Sequence, residues 1–186
     1  MGPKLLVIGA GGFGRAVIEA AVAAFDVVGF VDDRFPALNT VSGMRVLGRT
    51  ADLSSIRSLA GCVIVAIGDN ERREVLARSA VQHGFDLATF VHPRGFVSPS
   101  AQIGAGSIVM AGCVIGSGSV LGEGVIAHYG STIDHDCVIG SFSHIGVGAC
   151  ISGGVVLGQK VWLQAGCALG GAVQIDGGTV VSESVR

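Results

Sequence analysis

The 186-residue sequence has no apolar run close to the roughly 18 residues that span a bilayer. Its 12 basic and 14 acidic residues nearly cancel, so neither a nucleic-acid partner nor a membrane partner is expected. The five cysteines contain no CxxC pair, which argues against a zinc site and against a disulfide framework. The first residues carry no secretory signal pattern. Together these absences predict a cytoplasmic protein.

Charge is scarce in the second half of the chain. Residues 91–186 carry 8 Asp, Glu, Lys and Arg side chains, against 18 in residues 1–90. Glycine shows the opposite trend, with 20 in the second half and 11 in the first. The composition changes near Pro93 and Pro99, which punctuate the chain. We therefore expect two domains, residues 1–90 and residues 91–186.

A six-residue repeat runs through the second half. Sixteen positions spaced six apart, from Val91 to Val181, hold Val, Ile or Leu except at Ala127. The residue four places after each of them is small in every repeat. One aliphatic and one small inward residue per unit predict short strands joined by tight corners. The pattern resembles the hexapeptide repeat of the left-handed parallel β-helix, whose coil takes three units. The hand follows from that resemblance, because it opposes the usual crossover preference.

The first half reads as alternating strands and helices. Gly9, Gly11 and Gly14 satisfy G-x-G-x-x-G between the strand and the helix of "KLLVIGAGGFGRAVIEAAVAA". The next strand, "DVVGFVDD", ends in Asp32 and Asp33, where an acidic side chain commonly meets a ribose hydroxyl. We expect a small Rossmann-like parallel sheet, large enough for one mononucleotide and not for NAD. The alternative is that the glycines only allow a helix to pack closely on a strand.

The candidate catalytic residues lie in "STIDHDCVIGSFSHIGVGAC". Asp134, His135 and Asp136 form the most polar triplet of a nearly uncharged domain, and we place them on a strand between Ile133 and Cys137. Histidine suits general-base chemistry near neutral pH. A neighbouring carboxylate fixes its tautomer and stabilises its charged form. Asp136 is our first choice for that carboxylate and Asp134 the second. The alternative is that these three polar residues have only a structural role in the coil.

A second histidine, His144, is placed at a coil corner, where it meets substrate, contacts a neighbouring subunit or caps a turn. With His128 and His135 it raises a metal-binding alternative, because γ-class carbonic anhydrases bind zinc through three histidines on this fold. The intervals of seven and nine residues do not fit that arrangement, so we predict no metal.

The whole chain resembles the bacterial sugar-nucleotide acetyltransferases of the hexapeptide-repeat superfamily. These include UDP-4-amino-sugar N-acetyltransferases, GDP-perosamine N-acetyltransferase and sialic acid O-acetyltransferases. The matching segments are "GAGGFGR", "FVDD", "AIGDN", "VHPRGFVSPSAQIGAGSIVMAG" and "IDHDCVIGSFSHIGVGA". The resemblance implies a Rossmann-like nucleotide-sugar-binding domain in residues 1–90 and a left-handed β-helix acetyltransferase domain in residues 91–186. It implies acetyl-CoA as co-substrate, a nucleotide-linked amino sugar as acceptor, and a homotrimer.

The resemblance also assigns roles to individual residues. His135 is the general base, Asp136 its acidic neighbour, and His144 lies near the acceptor. Gly153, one coil after His135, is expected to stack beside it and to offer its backbone N–H to the thioester oxygen. Phe13 stands where many relatives carry histidine. The nucleotide-binding residues implied are Gly11, Gly12, Phe13, Gly14, Asp32, Asp33, Gly68 and Asn70.

Two functional alternatives remain open on the sequence. One is transfer of acetyl to a hydroxyl, as in sialic acid O-acetylation. The other is a non-catalytic nucleotide-sugar-binding protein whose histidines are structural. In either case the low charge of residues 91–186 predicts exposed apolar faces and closed association of identical chains. By resemblance, acetyl-CoA lies in a groove between neighbouring subunits.

Overall fold

A computed structural model describes residues 2–185 and divides the chain into two compact units, Met1–Ala88 and Thr89–Arg186. The first unit contains a four-stranded parallel sheet in the order β2-β1-β5-β6 and a short antiparallel hairpin, β3-β4. Its elements are β1 (Lys4–Ile8), α1 (Gly12–Ala21), β2 (Asp26–Val31), β3 (Thr40–Val41), β4 (Met44–Arg45), α2 (Leu53–Ile56), β5 (Cys62–Val65), α3 (Asn70–Gln82) and β6 (Asp86–Leu87). The predicted α/β half-domain is confirmed. The hairpin and α2 carry no strong sequence signal and were not predicted.

The central strand β1 explains why this sheet is parallel and covered on both faces. Leu5, Leu6, Val7 and Ile8 are all almost completely buried, which is the pattern of a parallel strand with no solvent-facing side. Parallel strands bring their carboxyl ends to one edge of the sheet. The loops after β1, β2 and β5 therefore converge there, and the Gly9 N–H donates to the Val31 carbonyl at 2.8 Å.

The second unit is a left-handed parallel β-helix, as predicted. It has three sheets, in the orders β7-β10-β13-β16-β19-β22, β8-β11-β14-β17-β20 and β9-β12-β15-β18-β21. The strands are β7 (Phe90–Val91), β8 (Phe96–Val97), β9 (Gln102–Ile103), β10 (Ile108–Val109), β11 (Val114–Ile115), β12 (Val120–Leu121), β13 (Ile126–Ala127), β14 (Thr132–Ile133), β15 (Val138–Ile139), β16 (His144–Ile145), β17 (Cys150–Ile151), β18 (Val156–Leu157), β19 (Trp162–Leu163), β20 (Ala168–Leu169), β21 (Gln174–Ile175) and β22 (Val180–Val181).

The coil repeats every three strands, so each residue stacks on the residue one coil later. Ile115 pairs with Ile133, and Ile133 pairs with Ile151. These aliphatic side chains are buried inside the coil. The small inward position is used differently: the buried Ser119 hydroxyl donates to the Asp134 carbonyl at 2.6 Å and accepts from the Cys137 N–H at 3.0 Å. Serines at this position therefore hydrogen-bond to the backbone of the next coil at a corner.

From Gly106 onward, each corner has one residue in the left-handed backbone conformation. Glycine supplies it at many corners, for example Gly118 with φ 69° and Gly154 with φ 73°. At four corners a larger residue takes the same conformation, namely Asp136, Phe142, Lys160 and Ala172. Within residues 2–185 no helix has the length and apolar character needed to cross a membrane.

Candidate active site

The Asp134–His135–Asp136 triplet lies at a corner of the β-helix and not on a strand, which corrects our expectation. Strand β14 ends at Ile133 and β15 begins at Val138, so the four residues between them form the turn. Each six-residue repeat contains only two strand residues, and the other four residues form a turn. The period alone does not show which two residues form the strand. Asp136 adopts φ 56°, so the backbone folds back on itself after His135. Alternation of side chains along a strand therefore does not apply here.

The turn brings both neighbouring carboxylates to one imidazole ring. Asp136 Oδ2 lies 2.9 Å from His135 Nδ1, within hydrogen-bond distance, and Asp134 Oδ2 lies 3.9 Å from Nε2. The Asp136 hydrogen bond and the Asp134 charge raise the pKa of His135 above the ordinary histidine value. The His135 side chain is 61% exposed, so the ring is accessible from solvent. The contact between Asp136 and Nδ1 fixes the tautomer of His135, and the two carboxylates stabilise its protonated form. His135 is therefore suited to act as a general base.

Gly153 lies against the His135 ring, one coil further along the chain. A Cβ atom at this position would come within 2.5 Å of His135 Nε2 and 2.6 Å of Cε1, so only glycine fits beside the ring as it stands. The following residue, Gly154, donates its N–H to the His135 carbonyl at 3.0 Å. Within residues 2–185 the Gly153 N–H donates no hydrogen bond. A donor is therefore available close to the candidate base.

His144 begins β16 and is not at a corner, which corrects a second expectation. Its ring stacks between those of His128 and Trp162, with centroid separations of 5.9 Å on each side. The three rings border a groove of about 380 Å³ on the six-stranded sheet. Sequence reasoning missed Trp162, although it stands one coil after His144 and the pairing of those residues follows from the repeat. Burial lowers the pKa of His128.

A cleft of about 390 Å³ opens in the first unit where the strand ends converge. The predicted residues that line it are Gly11, Gly12, Phe13, Asp32, Asp33 and Gly68. A Cβ at Gly11 would meet nothing within 4 Å and one at Gly12 only the tip of Arg15 at 3.9 Å, so both leave room for a ligand beside the start of α1. Gly14 has another role, since a Cβ there would collide with the Gly9 carbonyl.

Two arginines that sequence reasoning missed also line the cleft. Arg34 binds Asp32 through Nε at 2.7 Å and through Nη2 at 2.8 Å, and the Ala10 N–H donates to the same carboxylate at 2.9 Å. Arg72 binds Asp33 at 2.9 Å. The Arg34 contacts hold the pKa of Asp32 far below its usual range, and hydrogen bonds from Thr50 lower that of Asp33. The cleft is therefore lined by two carboxylates and two guanidinium groups that are held in place by their ion pairs.

The loop after β5 is held from inside by Arg73, another residue that sequence reasoning missed. Arg73 is 1% exposed and donates to the carbonyls of Ile67 and Gly68 at 2.9 and 3.1 Å. It also donates to Asn70 Oδ1 at 2.8 Å, so the Asn70 side chain supports the loop. Burial lowers the pKa of Arg73 to about 10, and the group stays charged at neutral pH.

Comparison with known proteins identifies the family of this chain. Residues 4–80 match the family described as the PglD N-terminal domain. The structure of a mutant of perosamine N-acetyltransferase from Caulobacter crescentus, in complex with CoA and GDP-perosamine, is 33% identical with a TM-score of 0.87. That match covers 98% of this chain and 90% of the other. The chain belongs to the sugar-nucleotide acetyltransferases of the hexapeptide-repeat superfamily.

Other solved structures of this kind agree. The acetyltransferase domain of PglB from Neisseria gonorrhoeae FA1090, in complex with acetyl coenzyme A, is 36% identical with a TM-score of 0.79, covering 97% of this chain and 96% of that one. WeeI from Acinetobacter baumannii AYE, at 24% identity, a TM-score of 0.81 and coverage of 98% and 92%, shares the fold. Comparison with curated protein sequences finds no significant match. The chain is accordingly an acetyltransferase.

The part of the chain that the structure describes holds no group of three or more His, Cys, Asp and Glu side chains arranged as metal ligands. Residues 91–186 contain four histidines: His92, His128 and His135 lie in turns between strands, and His144 begins β16, where its ring stacks on that of His128.

Proposed function

We propose that this acetyltransferase moves an acetyl group from acetyl-CoA to the amine of a nucleotide-linked amino sugar, with His135 as general base. The observation that carries the proposal is the corner at which Asp136 contacts Nδ1 of a largely exposed His135 ring whose Nε2 lies beside Gly153. A relative that is 33% identical is recorded with CoA and GDP-perosamine, and one that is 36% identical with acetyl coenzyme A. Substrates of both classes are therefore expected for this chain.

In this mechanism His135 Nε2 takes a proton from the acceptor nitrogen as that nitrogen attacks the thioester carbon. The C–N bond forms, the C–S bond breaks, and the imidazolium returns the proton to the thiolate of coenzyme A. Asp136 keeps Nδ1 protonated, so Nε2 carries the lone pair, and it stabilises the imidazolium that forms. The Gly153 N–H is our candidate donor to the thioester oxygen, where negative charge grows in the transition state.

The cleft of the first unit is our candidate site for the nucleotide of the acceptor. The open backbone at Gly11 and Gly12 allows phosphate oxygens to approach the start of α1, where N–H groups and the helix dipole favour an anion. Arg34 and Arg72 also line the cleft, and the N–H groups that they do not use on Asp32 and Asp33 are candidate donors to a diphosphate. Asp32 and Asp33 remain candidates for the ribose or the base. Residues 1–90 then bind the acceptor, and residues 91–186 carry the transfer.

His144 is our candidate acceptor contact on the β-helix. Its ring borders the groove beside Trp162, and a flat ring pair offers an apolar platform to a sugar or a coenzyme arm. This role is distinct from that of His135: Asp136 contacts Nδ1 of His135 in a turn, whereas the His144 ring stacks between two other rings at the start of β16.

The proposal is tested by following thiol release from acetyl-CoA with a panel of acceptors: GDP-perosamine, a UDP-linked 4-amino sugar and sialic acid. Release with an amino sugar supports the proposal, and release with sialic acid alone identifies an O-acetyltransferase. Nucleotide binding with no release from any acceptor identifies a binding protein.

His135→Ala should lower kcat by about 100-fold or more, the usual scale for a lost general base, with the KM for acetyl-CoA unchanged. A variant that keeps most of its kcat removes His135 from the mechanism.

A further inference from the structure

Two carboxylates meet the His135 ring at different nitrogens, and only one of them is needed to orient the ring. Asp136 occupies Nδ1 at 2.9 Å, whereas Asp134 lies 3.9 Å from Nε2, the nitrogen that faces substrate. We propose that Asp134 is the residue that selects an amine over a hydroxyl as acceptor, by binding a second N–H of the attacking nitrogen. This inference rests on the proposed function and names the group that sets its substrate class.

The separation of the two acceptor atoms fits one nitrogen that donates to both. Asp134 Oδ2 and His135 Nε2 are too far apart for a hydrogen bond with each other but close enough for a single donor atom to lie about 2.9 Å from each. An amine carries two or more hydrogens and donates to both atoms at once. A hydroxyl carries one hydrogen, so it satisfies either Nε2 or the carboxylate and turns a lone pair toward the other.

The charge that develops on the acceptor atom during its attack on the thioester also favours an amine over a hydroxyl. An amine nitrogen gains positive charge as its lone pair forms the C–N bond, while its proton is still being transferred to His135. A carboxylate beside that nitrogen stabilises the transition state more than the ground state, which raises the rate of the chemical step. One N–H proton goes to His135 and then to the thiolate released from coenzyme A, while the other stays on the amide product. Atoms and charge therefore balance without another reactant.

The surroundings of Asp134 leave its carboxylate available for this contact. Its backbone carbonyl is fixed by the Ser119 hydroxyl at 2.6 Å, but the side chain is 61% exposed. Across residues 2–185 the Asp134 carboxylate accepts no hydrogen bond from another residue. It borders a groove of about 300 Å³ between β11, β14 and β17, and among the described residues lining that groove Asp134 is the one with a charge. Ser152, one coil after Asp134 in the repeat, also lines this groove.

The test compares Asp134→Ala with Asp176→Ala in the full-length chain. Asp176 follows Ile175 as Asp134 follows Ile133, so it holds the same place in the repeat but has no histidine beside it. With GDP-perosamine or the UDP-linked 4-amino sugar as acceptor, Asp134→Ala should lower kcat/KM about tenfold to a hundredfold, the scale of a lost charge-assisted hydrogen bond. The inhibition constant of the matching 4-hydroxy nucleotide sugar should stay unchanged, and Asp176→Ala should behave as the parent.

A pH profile separates this role from a structural one. Because the Asp134 charge contributes to the raised pKa of His135, its removal should move the acidic limb of kcat/KM to lower pH. Asp134→Glu should restore both the limb and most of the rate. If the parent acetylates neither amino sugar, the proposed function fails. If the parent is active and Asp134→Ala keeps its kcat/KM, or weakens the 4-hydroxy inhibitor equally, only the role of Asp134 fails.

Discussion

Asp136 has a carboxylate that contacts His135 and a backbone in the left-handed conformation. A substitution can remove the carboxylate while keeping this backbone conformation. The equivalent turn position holds glycine one coil before and one coil after, at Gly118 and Gly154. A residue with a Cβ pays about 1–2 kcal/mol in that conformation, although aspartate tolerates it better than most. Asp136→Gly removes the hydrogen bond to His135 Nδ1 and relaxes the turn. We expect no loss of stability in denaturant unfolding and a fall in kcat of about tenfold or more.

Ala172→Gly is the matched control for Asp136→Gly. Ala172 has φ 57° at another corner, so the same backbone relief occurs without a carboxylate being lost. Its kcat should equal that of the parent. If Asp136→Gly also keeps its kcat, Asp136 has no part in orienting the base, and the carboxylate of Asp134 becomes the candidate.

Gly153 tests whether the space beside the His135 ring matters. In Gly153→Ala the new Cβ overlaps the ring at Nε2 and Cε1, so the imidazole must rotate away from its present position. Gly153 is not among the glycines with positive φ, and the backbone therefore tolerates alanine. We expect kcat to fall about 100-fold, since misplacement of a catalytic group by an ångström costs that much. Circular dichroism and sedimentation should match the parent.

Gly171→Ala provides the control for that substitution. Gly171 is one coil after Gly153, and a Cβ there would meet only the Gly153 carbonyl oxygen at 3.6 Å, an ordinary contact. Activity should be retained. Equal kcat in Gly153→Ala and Gly171→Ala would show that the close approach of residue 153 to His135 has no catalytic importance.

At the level of the coil, the inward serines connect the core to the corner that carries the triplet. Ser119 bonds both the Asp134 carbonyl and the Cys137 N–H, which are the two ends of the catalytic turn. Ser107 makes the same pair of bonds to Gly122 and Val125 at a corner without a candidate site. Both serines are completely buried.

Alanine at these serines should therefore cost similar stability but different activity. Each substitution leaves a buried N–H and a partly buried carbonyl without the serine partner, a loss of about 1–3 kcal/mol for a fully buried group and less for one that water can reach. Ser119→Ala should also lower kcat, because the turn that positions His135 loses its anchor, whereas Ser107→Ala should keep it. Urea unfolding and thiol release measure the two effects. Equal kcat in both variants would show that the turn needs no support from Ser119.

At the scale of the whole molecule, the β-helix presents apolar side chains on the outside of all three sheets. Val114, Val138, Val156, Trp162 and Val180 are each more than a third exposed in the single chain. Exposed apolar surface of this kind usually marks an interface, and identical chains most often associate with closed symmetry. We therefore retain the homotrimer as a proposal, with the transfer site shared between neighbouring chains.

The trimer is tested by placing one charge on each sheet, in Val114→Asp, Val138→Asp and Val180→Asp. The parent should sediment as a trimer, and a charge on an interface face should produce monomers without transferase activity. A charge on a face that remains in solvent should change neither property. An active monomer, in the parent or in any variant, contradicts both the trimer and the shared site.

The sequence by itself determined the class of the fold, and it predicted a division into residues 1–90 and 91–186. In the β-helix every inward side chain is specified by a period of six, so Ile133 is buried in the coil and Gly153 falls one coil after His135. In the first half, the glycine turn and the buried strand Lys4–Ile8 are local patterns of the same kind. Such features depend on residues that are near in sequence or a fixed repeat apart, and a linear pattern records them.

Only the tertiary structure decided how the turn residues meet one another. The period of six does not say where a two-residue strand ends, so His135 was expected on a strand and His144 at a corner, and both assignments were wrong. The left-handed conformation of Asp136 determines which carboxylate contacts which nitrogen of His135. Arg73, buried beneath the loop it holds, has no periodic signal either. Contacts of this kind depend on backbone angles and burial that form only when the chain has folded.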